Sequence, residues 1–301
     1  MPSPSPLSSE ARTKIVATVG PACRREDQLA ELATAGVDVF RLNMAHGGPN
    51  EQSEVVRSIR NVSKQLNRPI GILVDLAGPK MRLGELPGGQ RELRDGDAVR
   101  FVRGDRAASP DDLTTSYAPL IDDLAVGNMV MLADGTIALR VEEKTADWAR
   151  CVVVQGGLIR SRQGVNLPGA KLSVPAMSDD DHANANWAAE MEIDFVSLSF
   201  VRTPVEVRQL KELLHAHARG SRAKVVAKIE KQEALDQLEE IVAAADGVMV
   251  ARGDLGVEID VARMPMVQKQ IVALCHRYQR PVIVATQMLD SMQHSRRPTR
   301  A

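Results

Sequence analysis

Lys228, Glu230 and Asp254 are the residues whose types and spacing suit chemistry best. Lys228 and Glu230 stand two apart where the apolar run Val225-Val226-Ala227 ends. Side chains alternate along a strand, so both leave it on one face. Asp254 follows a second apolar run, 247–250, in the segment Ala251-Arg252-Gly253-Asp254-Leu255-Gly256. Two carboxylates offer hard oxygen donors of the kind Mg2+ takes, and an ammonium beside them suits a substrate phosphate. Charges placed directly after fully apolar strands are expected to line a mouth, and a salt bridge between neighbouring strands is set aside for these three. The acidic residues of 233–240 are read instead as a solvated helix face. Gly253 lacks a Cβ, which lets backbone N–H groups come close to a carboxylate.

The elements that must position these groups follow from periodicity. Between the two apolar runs, Leu235, Leu238, Ile241 and Val242 recur at helical spacing, so the stretch reads as strand, helix, strand. The same rhythm opens the chain, with strands at 13–19, 36–40 and 70–74 and helices at 25–35 and 50–65. Arg41, Asn43 and His46 fall after the second of these strands and Asp75 after the third. The rhythm resumes with helix 179–190, strand 195–200, helix 204–216, the strand of Lys228, helix 264–278 and strand 282–286. Between them lie short alternating runs at 98–102, 129–132, 137–141 and 149–154, broken by Asp95-Gly96, Asp134-Gly135 and Gly156-Gly157. The expected fold is α/β, a TIM (β/α)8-type barrel that stops at its seventh strand, with an inserted all-β lid. The expected division is a tail at 1–11, barrel at 12–83, lid at 84–168 and barrel again at 169–301.

Composition narrows the partners. The 301 residues carry 38 basic and 39 acidic side chains, so bulk charge points to neither nucleic acid nor a membrane surface. Cys23, Cys151 and Cys275 fit neither metal-ligand spacing nor a disulfide framework, and with a Ser/Pro-rich N-terminus lacking an apolar signal core they lead to an expected cytoplasmic location.

The run Lys228-Ile229-Glu230, the run Gly247 to Glu258 (GVMVARGDLGVE), Ala285-Thr-Gln-Met-Leu-Asp-Ser-Met292 and Arg297-Pro-Thr-Arg-Ala301 together resemble pyruvate kinase, in family order and over almost the whole chain. The resemblance implies phosphoryl transfer from phosphoenolpyruvate to ADP, giving pyruvate and ATP, with Mg2+, or Mn2+ in its place, held by Glu230 and Asp254. It implies that Lys228 and Arg41 act on the phosphoryl group and that Thr286 lies by the enolpyruvate carbon that is protonated. Gly253 and Asp254 would contact substrate, while Arg82, His46 and Asn43 would lie along the nucleotide or the cation beside it.

The departures from the family pattern are as informative. A monovalent-cation site that reads Asn-x-Ser and Asp-Thr in the family is here Asn43, Ala45, Asp75 and Leu76, and a nearby glutamate is Lys80. The Lys80 ammonium is expected to replace K+, which makes activity K+-independent. Arg162-Gln163 stands where the family often has two lysines, which weakens nucleotide contact. The family's eighth strand and C-terminal domain have no counterpart in these residues, so a homo-oligomer or completion by another chain is expected. Two other readings stand beside this one: a catalytically silent truncated paralogue that binds phosphoenolpyruvate or a partner subunit, and a Mg2+-dependent aldolase or lyase, which would not need the lid.

Overall fold

The computed structural model describes residues 13–107, 109–217 and 220–285. Thr286 and the motif residues beyond it lie outside the described residues. The first strand, β1 (Ile15–Thr18), is followed by α1 (Glu26–Ala35), β2 (Val37–Asn43), α2 (Pro49–Gln65) and β3 (Gly71–Asp75). The insertion contributes β4 (Gln90–Leu93), β5 (Ala98–Val102), β6 (Asp112–Leu113), α3 (Leu120–Asp123), β7 (Met129–Leu132), β8 (Ile137–Lys144), β9 (Trp148–Gln155), β10 (Gly157–Arg160) and β11 (Val165–Asn166). The chain then gives α4 (Asp179–Glu190), β12 (Phe195–Leu198), α5 (Pro204–Ala216) and β13 (Lys224–Ile229). It continues through α6 (Glu233–Asp236), α7 (Leu238–Ala244), β14 (Gly247–Ala251), α8 (Arg252–Glu258), α9 (Met264–Arg277) and β15 (Val282–Ala285).

Seven of these strands form one parallel sheet in the order β1-β2-β3-β12-β13-β14-β15, the curled sheet of an incomplete TIM-type barrel. The reason lies in the pleat. Ile72 and Val74 of β3, Val225, Ala227 and Ile229 of β13, and Val248 and Val250 of β14 face outward into the main core beneath the helices. Their alternate neighbours face inward, where Leu73, Val226 and Met249 form a small apolar layer flanked by Val16, Val39, Phe195 and Ile283. Two residues further along, the inward position turns polar on the first five strands of the sheet, at Thr18, Arg41, Asp75, Ser197 and Lys228, while β14 and β15 have Ala251 and Ala285 there. A period of two thus stacks a polar layer on an apolar one at the carboxyl ends of the strands.

The insertion has its own core, from Met81 through Phe101, Leu139 and Cys151 to Ala170. Its six-stranded sheet runs β11-β7-β8-β9-β5-β6, with β4 and β10 paired apart from it. The two connections to the barrel pair with each other, Arg82 opposite Gly164, with Val165 N donating to Met81 O at 3.0 Å.

The boundaries correct the sequence reading in places that matter. β2 runs on to Asn43, so Arg41 and Asn43 stand within the strand and only His46 follows it. Lys228 likewise lies inside β13. The helix read across 235–242 is two short helices, α6 and α7. Arg252-Gly253-Asp254, to which the sequence reading assigns no element, is the first turn of α8.

Candidate active site

Lys228 sits at the centre of the polar layer, only 8% exposed. Its Nζ lies 3.0 Å from Glu230 Oε1 and 3.2 Å from Asp75 Oδ1, and donates to Ser199 Oγ at 2.7 Å. Lys228 is therefore ion-paired, though not between neighbouring strands: Glu230 belongs to its own strand end and Asp75 stands two strands away, on β3, so the mouth of the sheet is lined by groups that neutralise one another. Burial alone would drive the ammonium to lose its proton, but Glu230 and Asp75 outweigh it and hold the Lys228 pKa above its ordinary value.

Asp75, 2% exposed, collects cations from two sides. Arg41 donates to Oδ2 from Nε at 2.9 Å and from Nη2 at 2.5 Å, and Ser197 Oγ donates to Oδ1 at 2.6 Å. Arg41 also reaches Thr18 Oγ1 at 2.8 Å. Burial works to raise the Asp75 pKa, yet Lys228 and Arg41 together pull it below the usual carboxylate range. Ser197 and Ser199 were not singled out from sequence. Their alternation in Phe195-Val-Ser-Leu-Ser-Phe200, polar positions on an otherwise apolar strand, was the signal that marks them.

Glu230 is 1% exposed and differently placed. Its Oε2 accepts the Phe200 backbone N–H at 2.6 Å, and Lys228 is its cation. Burial raises its pKa first, and although Lys228 opposes this, the nearby Asp254 carboxylate adds to the rise. Phe200 makes that hydrogen bond from a left-handed backbone, φ 53°, which an aromatic residue adopts only under constraint. Gly78 lies against it, and a Cβ there would come within 2.8 Å of Phe200 Cδ2, so a glycine is required for the close approach.

Asp254 stands in the first turn of α8 and lines a cleft with Lys80, Met81, Asp134, Phe200 and Lys231. Gly253 precedes it on the exposed side of the same turn. Glu230 and Asp254 fit a hard divalent cation: two carboxylates, one fully buried, raise each other's energy in a way that a cation between them relieves. Lys231 is a further cation that sequence inspection passed over; buried, it holds Glu258 Oε1 at 2.5 Å. Burial raises the Glu258 pKa, while Lys231 and the Gly169 backbone N–H act against the rise.

Other expected residues stand apart from this centre. Asn43 Oδ1 accepts the Ala45 N–H at 3.1 Å, closing a local turn, and the cations on Asp75 are Arg41 and Lys228. Asn43 and Asp75 are register partners on β2 and β3, and the side-chain oxygens of both accept from protein donors. Lys80 extends to within 4.0 Å of where a Gly164 Cβ would stand, on the lid side of the cleft. His46 is exposed. Arg82 belongs to the lid connection, its Nη1 donating to Arg162 O at 3.2 Å. Arg162 itself pairs with Glu85 at 2.6 Å within the lid.

The barrel-domain model of the pyruvate kinase family matches residues 10–301. This chain belongs to the pyruvate kinase family. It is 43% identical over 290 residues to pyruvate kinase of Mycobacterium intracellulare, covering 96% of this chain and 61% of that protein. Against pyruvate kinase of Geobacillus stearothermophilus the identity is 40% over 292 residues, covering 96% of this chain and 50% of the relative. Among solved structures, a pyruvate kinase from Cryptosporidium parvum superposes with a TM-score of 0.90 at 33% identity, covering 96% of this chain and 60% of that one. The chain thus spans between half and two thirds of the length of these relatives. Among the described residues no helix is long and apolar enough to cross a membrane.

Proposed function

We propose that this chain carries the phosphoryl-transfer centre of a pyruvate kinase, moving the phosphoryl group of phosphoenolpyruvate to ADP. The observation that carries the reading is the inward layer at the strand ends, where Lys228 bridges Asp75 and Glu230, with the Asp254 carboxylate close enough to act on the charge of Glu230. Phosphoryl transfer asks little covalent chemistry of a protein and much positioning of charge. Lys228 and Arg41 supply two cations held in place by the buried Asp75 carboxylate. Mg2+ held by Glu230 and Asp254 would neutralise charge on substrate oxygens. Gly253, in the first turn of α8, leaves room for a substrate carboxylate beside Asp254, and Thr286 keeps the role that family resemblance gives it, next to the carbon that takes the proton. Arg82, His46 and Asn43 would line the nucleotide side, where the lid connection lies, and the lid would exclude water that hydrolyses the phosphoryl group.

The test is a lactate-dehydrogenase-coupled assay of the 301-residue chain with phosphoenolpyruvate, ADP and Mg2+. Turnover is expected, and Lys228→Met should lower kcat by roughly 10²–10³-fold. Folded protein that binds phosphoenolpyruvate without turning it over would instead identify a silent binder. We also propose that turnover needs no K+. The Asn43 and Asp75 oxygens are already engaged by protein donors, and Lys80 adds a fixed charge at the cleft. Replacing K+ by a bulky organic cation should leave the initial rate unchanged, and a collapse would sink the idea.

A further inference from the structure

The Lys231–Glu258 pair is buried, charged and unused by the reaction just described. Lys231 directly follows Glu230 at the end of β13, and Glu258 is the last residue of α8, whose first turn carries Asp254. One ion pair of 2.5 Å therefore joins the two elements that carry the two carboxylates. The lid reaches the same helix twice. Its Asp134-Gly135 turn abuts Val257, where a Cβ on Gly135 would come within 3.2 Å of Val257 Cγ2. At the lid's exit, the Gly169 backbone N–H stabilises the Glu258 carboxylate. A buried ion pair adds little stability over apolar residues of the same volume, so its use is better sought in the geometry it imposes.

We infer that Lys231 is a positioning residue: its pair with Glu258 sets the separation of Glu230 and Asp254 and ties it to the seat of the lid. This rests on the reading of Glu230 and Asp254 as divalent-cation ligands. Groups that orient ligands from behind cost about 10–100-fold in metal affinity when removed. The experiment is Mn2+ binding to the intact chain without substrates, followed by electron paramagnetic resonance, with folding checked by circular dichroism. Lys231→Met alone leaves Glu258 buried without its cation and is prone to unfold. The informative variants are therefore the double variant Lys231→Met/Glu258→Leu, which replaces the pair by apolar groups, and Glu258→Gln, which keeps size and hydrogen bonding. The double variant is expected to bind Mn2+ about tenfold more weakly than the parent, and Glu258→Gln and Lys231→Arg, which keep the hydrogen bond, to stay within about threefold. A folded double variant that binds as tightly as the parent, or a Glu258→Gln as weak as the double variant, would overturn the inference. Asp254→Asn separates the two readings. If the parent binds no Mn2+, or Asp254→Asn binds it unchanged, the ligand assignment fails and this inference falls with it.

Discussion

Asp75 and Glu230 are both buried carboxylates in contact with the same ammonium, and they are displaced in opposite directions. Burial disfavours the ionised form of both. Asp75 has Lys228, the Arg41 guanidinium and the Ser197 hydroxyl, and its pKa falls. Glu230 has Lys228 and one backbone N–H, feels the charge of a second carboxylate in Asp254, and its pKa rises. The difference teaches that depth alone does not decide the state of a carboxylate; the count of cations within reach does. Asp75 is a finished anchor that orients two cations. Glu230, with fewer cations in reach and Asp254 nearby, is the less completely balanced of the two.

The largest effect that would break this contrast is on stability at Asp75. Asp75→Asn leaves Arg41 and Lys228 with less anion than they need, and should cost about 3–5 kcal/mol in urea unfolding. A loss under about 1 kcal/mol would mean that the cations find other partners. Glu230→Gln should behave differently. It removes the repulsion with Asp254 while keeping the size of the side chain, so stability should stay within about 1 kcal/mol of the parent although divalent-cation binding is lost. A drop as large as that of Asp75→Asn would erase the distinction.

The two groups also predict opposite pH slopes. Asp75, lowered on folding, contributes stability that is present above its unfolded value of about 3.9 and disappears as pH falls through its folded pKa. Glu230, raised on folding, contributes in the other sense: its stabilisation is present below about pH 4.3 and is lost as pH rises through its folded pKa. Urea unfolding of parent and Glu230→Gln across pH 3–7 should therefore converge at the acid end and separate above about pH 4.3 in favour of the variant. Parallel curves would count against the assigned direction.

A third carboxylate sharpens the comparison with the smallest effect. Asp123, in the lid, is held by the Tyr117 hydroxyl, the Ser173 N–H at 2.9 Å and the Ser173 Oγ at 3.1 Å. Ser173 lies in the segment leaving the lid, whose Leu172 and Val174 carbonyls accept from Arg202 at 2.8 Å each. Tyr117→Phe should cost about 1 kcal/mol, since Asp123 keeps two donors, and should speed amide exchange in 120–124 and at 173. Unchanged exchange there would show that the Tyr117 hydroxyl does not help seat the lid.

Much of the barrel was legible in residue order because its signals are local. Apolar runs at 225–227 and 247–250 mark strands buried on both faces, and a period of two puts Lys228 and Glu230 on one side whatever the rest of the chain does. Helices 179–190 and 204–216 are found with the bounds their pattern predicts, Ser178 and Thr203 standing at the two N-caps. The small strands of the insertion were less visible: β4, β6 and β10 carry too few alternating residues to stand out.

The site divides along the same line. Which residues are able to bear charge, and toward which face of a strand, follows from residue type and the pleat. Which of them meet was decided by the folded sheet. Asp75 and Lys228 are 153 residues apart and reach each other across β12, inserted between β3 and β13 by the strand order. The left-handed turn at Phe200, the first turn of α8 beneath Asp254 and the tie from Lys231 to Glu258 have no local signature, because each is held in place by contacts made from other segments. Sequence order sets the chemistry on offer at each strand end; only the closing of the sheet sets the distances, and with them the opposite charge balance of Asp75 and Glu230.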